Sequence, residues 1–556
     1  MTSSQLESCD EKKNQSNRDL GFDGVTDPAV TNTKLTRQYI TAFAECAKEV
    51  TFDVFPAAPL IDWAMNSPSK SLSDIMMVHT LMALGTIHTN NTDKAQHRVL
   101  FKSIASQQLA QFETQYSLQL VHALMFLSFA EYADGQHEQG LAYHMRSLGV
   151  ISSLQLNVED PLPDKSNAYG FSPSMFAECR RRTYWAAFCK DILIGLTSRR
   201  PRFLHNKDVY LRLPCARRLY EEDEIPDAPF FDQDNILPLS MATGNHVQMG
   251  HLVYLMQIAF IHSEVQLYAR RCSNSLRVGR SDVGEQRTRE MLHARLEDWA
   301  QTYTAAIRVR EKANIDSESL LDHARNVGKS RAPKFAGLDI LYHWAHMELC
   351  RNLYHGNLTR QDVLAQASNA TQHAVEALKM STQLLEFGGP AMRDYQDVIA
   401  GPLWGPFSGF AIHAAIDILT AAGKTRDILE PDSLIMKLLY HGLEFIKVTS
   451  SEWEVGEMQY EQVKERIQTV YSSAQTAVNQ RKMYFYCTEP MLSESNKGKE
   501  MDLIYGSDRQ LYLQVGYNRS NVVDESEVFA IDTGGGKQLS PQKPYMARNS
   551  TKEAGE

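Results

Sequence analysis

Apolar residues recur at intervals of three and four along almost the whole chain up to about residue 480. Segments such as SLSDIMMVHTLMALGTIH and FAGLDILYHWAHMELCRNLYHG show this spacing, which places the apolar side chains on one face of an α-helix. An Asp, Ser or Thr stands near the start of many such segments. The first helical segment along the chain is TKLTRQYITAFAECAKEV, and Asn32 and Thr33 are its candidate N-caps. Strand-like alternation is hard to find before residue 480. The pattern predicts an all-α fold.

The two ends of the chain lack this periodicity. Residues 1–35 are polar, and residues 486–556 are rich in Gly, Ser, Asn and charged residues, so both ends are expected to be disordered or mobile. Residues 36–485 are predicted to form one large helical domain of many antiparallel helices. Because no segment recurs at a fixed period, this domain is expected to be irregular rather than a solenoid.

The charge balance, the apolar segments and the cysteine spacing limit the class of protein to which the chain can belong. The chain has 57 basic and 67 acidic residues, a net charge of -10, so any contact with a polyanion would have to be local. No apolar signal segment opens the sequence and nowhere do 18 uncharged apolar residues run together, which predicts an intracellular protein without membrane contact. The eight cysteines are scattered without CxxC spacing, as expected of reduced thiols rather than disulfides or a zinc site.

One acidic segment interrupts the helices between Arg217 and Pro238. It contains two internal prolines and mixes Tyr220, Phe230 and Phe231 with acidic residues. A solvated loop is the favoured interpretation, and an acidic-aromatic segment that binds a partner is the alternative.

Residue patterns typical of catalysis are weak. The acidic cluster of the same segment lies in a Pro-broken loop rather than on a helix, so it does not present a magnesium site for an enzyme. His343 and His346 are spaced to share a helix face, but no Glu follows in HExxH register, and packed histidines are the favoured interpretation. We therefore assign no catalytic, cofactor-binding or metal-binding residue and expect the chain not to be an enzyme.

The segment ECRRRTYWAAFCKDILIGLTSRRPR, residues 178–202, combines charges with an apolar helix. Apolar and small residues cover most of the circumference between Tyr184 and Leu196, so this helix is predicted to be buried. A buried carboxylate needs a cation or backbone donors, and we expect Arg200 to hold Asp191. Arg181 and Arg182 are expected to brace neighbouring helices rather than contact nucleic acid.

The same segment, followed by DVYLRLPC, resembles the fungal-specific transcription factor domain, the middle homology region of fungal zinc-cluster regulators. The upstream helices ending in GVISSLQLN and the downstream LEDWAQTY and LYHWAHMELCRNLYHG are also similar to that family, over roughly residues 50–450. The residues that match the family signature, to which a structural role is assigned, are Arg181, Arg182, Tyr184, Trp185, Asp191, Arg200, Pro201, Asp208, Leu213 and Pro214.

The resemblance implies a helical regulatory domain of a nuclear, pathway-specific transcription regulator. It also implies an N-terminal cluster of six cysteines that holds two zinc ions and reads DNA, yet only Cys9 and Cys46 precede the domain. Zinc and direct DNA contact are therefore expected only if an upstream exon is missing from the gene model. Otherwise the partners would be other transcription regulators, in a homodimer or heterodimer. Two alternatives stay open: an inhibitor of full-length zinc-cluster factors, and a helical module that senses a small molecule.

Overall fold

The structure is a computed structural model that describes Phe22 and residues 24–50, 54–89, 91–112, 114–159, 167–198, 200–232, 249–278, 284–313, 333–351, 360–387, 406–421, 433–450 and 454–476. Within these residues the chain is helical and forms no β-strand, only three isolated β-bridges. The predicted all-α fold is confirmed.

The described residues contain sixteen α-helices, which we number in chain order. They are α1 Pro28–Thr31, α2 Thr33–Val50, α3 Ala57–Asn66, α4 Leu72–Gly85, α5 Lys94–Leu109, α6 Leu118–Ala133, α7 His137–Ser153, α8 Pro173–Ser198, α9 Arg217–Glu221, α10 His251–Val278, α11 Gly284–Ala313, α12 Pro333–Arg351, α13 Arg360–Phe387, α14 Pro406–Ala421, α15 Leu434–Ser450 and α16 Glu454–Thr476.

Polar side chains cap several helices as the sequence pattern requires. At α4 the Ser71 hydroxyl accepts from the Asp74 amide while the Asp74 carboxylate accepts from the Ser71 amide, a capping box. At α6 the Ser117 hydroxyl accepts from the Leu120 amide at 3.2 Å. Of the two candidate caps for α2, Asn32 is the one used, because its Oδ1 lies 3.2 Å from the amide of Leu35.

Helices close in sequence pack against each other, and α8 then connects the two halves of the chain. Helix α4 packs on α2, α5 and α6, and α6 on α7; α8 contacts α6, α10 and α14, and α10 packs on α12. A single cluster of buried apolar side chains runs from Phe22 to Ile467. One close approach depends on a glycine: a Cβ on Gly85 would lie 2.1 Å from the Tyr39 carbonyl oxygen.

Some sequence boundaries differ from the structure. Helical structure begins before residue 36, since α1 and the start of α2 lie in the segment expected to be disordered, and Phe22 is buried. Helix α8 begins at Pro173, five residues before the segment ECRRRTYWAAFCKDILIGLTSRRPR. The remainder of the N-terminal segment and the tail expected at residues 486–556 lie outside the described residues.

The acidic segment is not simply a solvated loop. Its first residues form α9, and Tyr220 and Phe231 are buried in the apolar core. The acidic side chains of Glu222, Asp223 and Glu224 are exposed. The solvated-loop prediction is therefore wrong for Tyr220 and Phe231, because the apolar area of these two side chains is removed from water. Residues 233–238 of the segment lie outside the described part.

The expectation of reduced thiols agrees with the cysteines whose side chains the structure describes. Cys179, Cys189, Cys215 and Cys350 are buried free thiols, and burial raises the pKa of the first of these to about 12, so they are unreactive. Across the described ranges, no helix is both long and apolar enough to cross a membrane.

Candidate functional site: the buried charges of helix α8

Helix α8 carries three of the charged residues of the matched motif, Arg181, Arg182 and Asp191, and all three are buried. Every residue from Arg181 to Leu196 is buried, which confirms the predicted burial of this helix. A guanidinium group enclosed by protein cannot reach a phosphate of a nucleic acid, so the arginine pair is not a DNA-contacting patch. The charges must instead be compensated by groups inside the fold.

Glu178 is the centre of the first group of charges, and its side chain is fully buried. Its Oε1 accepts from Arg182 Nε at 2.8 Å and from the amide of Cys215 at 3.0 Å, while its Oε2 pairs with Arg181. The glutamate precedes the arginines by three and four positions, so all three side chains meet on one face of the helix. The carboxylate thus binds two cations and one backbone donor.

Arg181 and Arg182 extend from this centre to other parts of the chain. Arg181 also pairs with Glu159, whose Oε2 accepts in addition from the amide of Arg212 at 3.1 Å. Arg182 donates to the Cys215 carbonyl oxygen at 2.6 Å. Glu159 and Cys215 lie in the connections that flank α8, so the arginines hold connecting segments onto this helix. The prediction that they brace neighbouring helices applies to Arg182, which also contacts Tyr220 on α9.

Aromatic residues add further contacts to this group of charges around Glu178. The Arg182 guanidinium lies 4.5 Å from the centre of the Tyr220 ring, a cation–π contact, and the Tyr220 hydroxyl donates to the Val54 carbonyl oxygen at 3.1 Å. The indole nitrogen of Trp185 donates to the Arg212 carbonyl oxygen at 2.9 Å. The segment after α8 is therefore attached at its backbone as well as through its side chains.

Asp191 is held by backbone amides instead of an arginine. Its Oδ2 accepts from the amides of Phe203 and Leu204 at 2.8 and 2.9 Å, and His144 Nε2 lies 3.6 Å from its Oδ1. The Arg200 side chain is exposed, so the predicted Arg200 partnership is wrong. The turn after α8 brings two N–H groups over the carboxylate, and these satisfy it without burying a second charge.

The same turn explains a small residue in α8. A Cβ on Gly195 would lie 3.2 Å from the carbonyl oxygen of Arg200, so the returning chain passes close to the helix backbone. That carbonyl oxygen also accepts from both terminal nitrogens of Arg270 on α10, at 3.4 Å. Arg200 therefore contributes through its backbone.

Lys190 is the buried cationic group next to Asp191. Its Nζ donates to the Met125 carbonyl oxygen on α6 at 2.8 Å and lies 3.8 Å from the centre of the Phe129 ring. Burial lowers the pKa of Lys190 well below its usual value. Burial is also the main reason that the pKa of His144 is lowered. Sequence reasoning identified neither Met125 nor His144 as a neighbour of these charges.

The remaining signature residues divide into buried and exposed groups. Tyr184 and Leu213 are in the apolar core, and the Leu213 amide donates to the Pro229 carbonyl oxygen at 2.9 Å. Pro214 is buried. Pro201 and Asp208 are exposed, and the carbonyl oxygen of Asp208 accepts from Asn157 at 2.7 Å.

The two histidines considered from sequence, His343 and His346, both contact His373 on α13. His343 Nδ1 lies 2.9 Å from His373 Nδ1 on α13, whereas His346 lies beside His293 and Glu297 of α11. These groups come from three helices, and no spacing along the sequence predicts their meeting.

Comparison with known proteins identifies the relatives of this region. Residues 60–301 match the family model of the fungal specific transcription factor domain, which confirms the resemblance over a shorter range than the sequence motifs suggested. Transcription factor tazR of Aspergillus terreus is 27% identical over 116 residues, which are 21% of this chain and 18% of that protein. Transcription factor AN6788 of Emericella nidulans is 26% identical over 188 residues, 33% of this chain and 29% of that protein. The chain thus matches less than a third of either relative's length. No solved structure matches the chain.

Glu178→Ala is expected to lower the free energy of unfolding by about 3–5 kcal/mol, because it leaves Arg182 buried without its carboxylate partner. Chemical denaturation monitored by circular dichroism measures this loss. The matched control is Glu222→Ala, which removes a pair with Arg218 in which both side chains are more than two-fifths exposed. The control should cost less than about 1 kcal/mol. Equal losses in the two variants would contradict the assigned role of Glu178.

Asp191→Ala is expected to lower the free energy of unfolding by about 2–4 kcal/mol, because two backbone amides lose their acceptor. Asp191→Asn keeps one acceptor oxygen and should lose less. Asp62, an exposed residue whose carboxylate accepts only from Asn66, provides the control Asp62→Ala. A denaturation curve of Asp191→Ala that coincides with wild type would refute this role.

The buried amine predicts a dependence of stability on pH. Because the pKa of Lys190 is lower in the folded protein than in the unfolded chain, the unfolded chain binds more protons between that lowered pKa and about 10.4. The contribution of Lys190 to the free energy of unfolding should therefore rise with pH across this window, whereas buried thiols such as Cys179, whose pKa is raised, contribute with the opposite sign above pH about 8.5. The stability of wild type relative to Lys190→Met should therefore increase as the pH rises above ~7, because the other titrating groups are common to both proteins, whereas Lys207→Met, at an exposed site, should follow the wild-type profile. Parallel profiles for Lys190→Met and wild type, measured by denaturation at several pH values, would contradict the inference.

Proposed function

Because residues 60–301 carry a fungal specific transcription factor domain, we propose that the chain is a nuclear regulator of the transcription of a pathway-specific set of fungal genes. The family match is the observation that carries this proposal. Two relatives that are themselves named transcription factors support it. The proposal assigns the helical domain a regulatory role and assigns the chain no catalysis.

The geometry of α8 is compatible with a regulatory scaffold. The charged groups of Glu178, Arg181 and Asp191 all bind internal partners, so they are occupied in holding the fold. An active site instead presents a reactive group to a substrate. The signature residues thus define the framework of the domain, and regulatory contacts are assigned to its outer surface.

Transcript profiling after deletion of the gene tests the proposal. We expect a coherent group of transcripts to change under at least one growth condition, and a tagged copy of the chain to accumulate in the nucleus and to enrich promoters of those genes in chromatin immunoprecipitation. Re-expression of wild type or of Glu222→Ala should restore the transcripts. Glu178→Ala should restore them less, because the domain that it destabilises falls in abundance.

An unchanged set of transcripts in the deletion strain, across nutrient and developmental conditions, would overturn the proposal. Exclusion of the tagged chain from the nucleus under every condition that changes the transcripts would do the same. Both measurements use the full chain, so they test its function and not that of an isolated fragment.

A further inference from the structure

Four histidines from three helices meet at one place in the second half of the fold. His293 comes from α11, His343 and His346 from α12, and His373 from α13. The rings of His346 and His373 stack with centroids 4.2 Å apart and planes at 4°, and the ring of His293 lies 5.1 Å from that of His346. Glu297 of α11 completes the group, with Oε1 3.5 Å from His346 Nε2.

Three of these side chains have the arrangement of a ligand set. One ligand atom from each of His293, Glu297 and His346 can be chosen so that all three lie within 4.8 Å of one another. His293 and Glu297 are four positions apart on α11 and therefore share a helix face. Zinc bonds of roughly 2.0–2.2 Å in a tetrahedral site place adjacent ligand atoms about 3.3 Å apart. The separation between Glu297 and His346 is already close to this value, and His293 is exposed, which leaves its side chain room to close in.

His346 supplies an independent indication of a missing partner. Only 1% of its side chain is exposed, yet neither ring nitrogen makes a hydrogen bond within the described part of the chain. A buried polar atom without a partner costs free energy. A buried ring nitrogen without a hydrogen-bond partner is in a position to bind a cation.

A further side chain orients the carboxylate. The Tyr342 hydroxyl lies 3.2 Å from Glu297 Oε1 and donates to it. A phenol carries its proton at physiological pH, so Tyr342 can act as the donor. Outer hydrogen bonds of this kind fix the orientation of ligating side chains in metal sites.

We propose that His293, Glu297 and His346 form a binding site for one divalent transition-metal cation of the Zn²⁺ type. Two imidazoles and a carboxylate favour such a cation over Mg²⁺ or Ca²⁺, which prefer oxygen ligands. The site connects α11 to α12 and leaves the fourth position for water. About 46% of the Glu297 side chain is exposed, so the cation can enter from solvent. The site rests on residues that the proposed transcriptional role does not involve.

Metal titration of the purified full chain tests this site. After dialysis against a chelator, we expect Co²⁺ to bind at one equivalent, with the visible absorption of a four- or five-coordinate ion, and Zn²⁺ to displace it. His293→Gln and Glu297→Gln should each weaken binding by at least roughly 100-fold, since removal of a ligand costs no less than the loss of an outer partner. Both side chains are at least partly exposed, so the variants should fold, which circular dichroism verifies.

Two control variants separate this site from other binding. Glu290→Gln lies at an exposed position of the same helix, and His205→Gln removes an exposed histidine from another segment; both should bind like wild type. Zn²⁺ should raise the melting temperature of wild type and the controls but not that of the two ligand variants.

Three results would contradict the proposed metal-binding site. They are the absence of one-equivalent binding in wild type, equal affinity in the ligand variants and the controls, and near-ultraviolet charge-transfer absorption showing that cysteine thiolates hold the Co²⁺. Each of them leaves the transcript measurements untouched, so failure of the metal site is distinguishable from failure of the proposed function.

Discussion

The carboxylate of Glu178 and its two arginines are the interaction on which the arrangement around α8 depends. Moving these charges out of water costs several kcal/mol for each ion, and only close pairing with further hydrogen bonds offsets that cost. Glu178 satisfies the condition because it binds Arg181, Arg182 and the Cys215 amide together. The partners of one carboxylate thereby include the chain that follows α8 and, through Glu159, the chain that precedes it.

The buried charges at the two ends of α8 are compensated in different ways. At the N-terminal end, charges of opposite sign face each other on one helix face. At the C-terminal end, Asp191 binds two backbone amides, and Lys190 binds a carbonyl oxygen and an aromatic ring. At the N-terminal end most of the compensating charge comes from α8 itself, whereas at the C-terminal end it comes from the turn after α8 and from α6. The buried charges therefore define which connections lie against this helix, in addition to any contribution to stability.

The region that matches the family model ends within α11, but the apolar core does not. Residues 60–301 match the model, whereas the cluster of buried apolar side chains continues to Ile467 in α16. Helices α12 to α15 pack on one another, and α10 packs on α12. The histidine group sits where the matched region meets the later helices, because α11 supplies His293 and Glu297 while α12 and α13 supply the other three histidines.

Local sequence information determined the helical class and the burial of α8 and limited the α2 cap to Asn32 or Thr33, because periodicity and capping depend on residues within one or two turns. The pairing of Glu178 with Arg181 and Arg182 could also have been predicted from the sequence, since all three residues lie within ECRRR. It was not among the predictions made from the sequence. Tertiary structure alone decided the rest: that Phe203 and Leu204 hold Asp191, that Tyr220 is buried, and that the histidines meet. These contacts join residues that are distant in sequence, and only the packing of the helices brings them within hydrogen-bonding or ring-stacking distance.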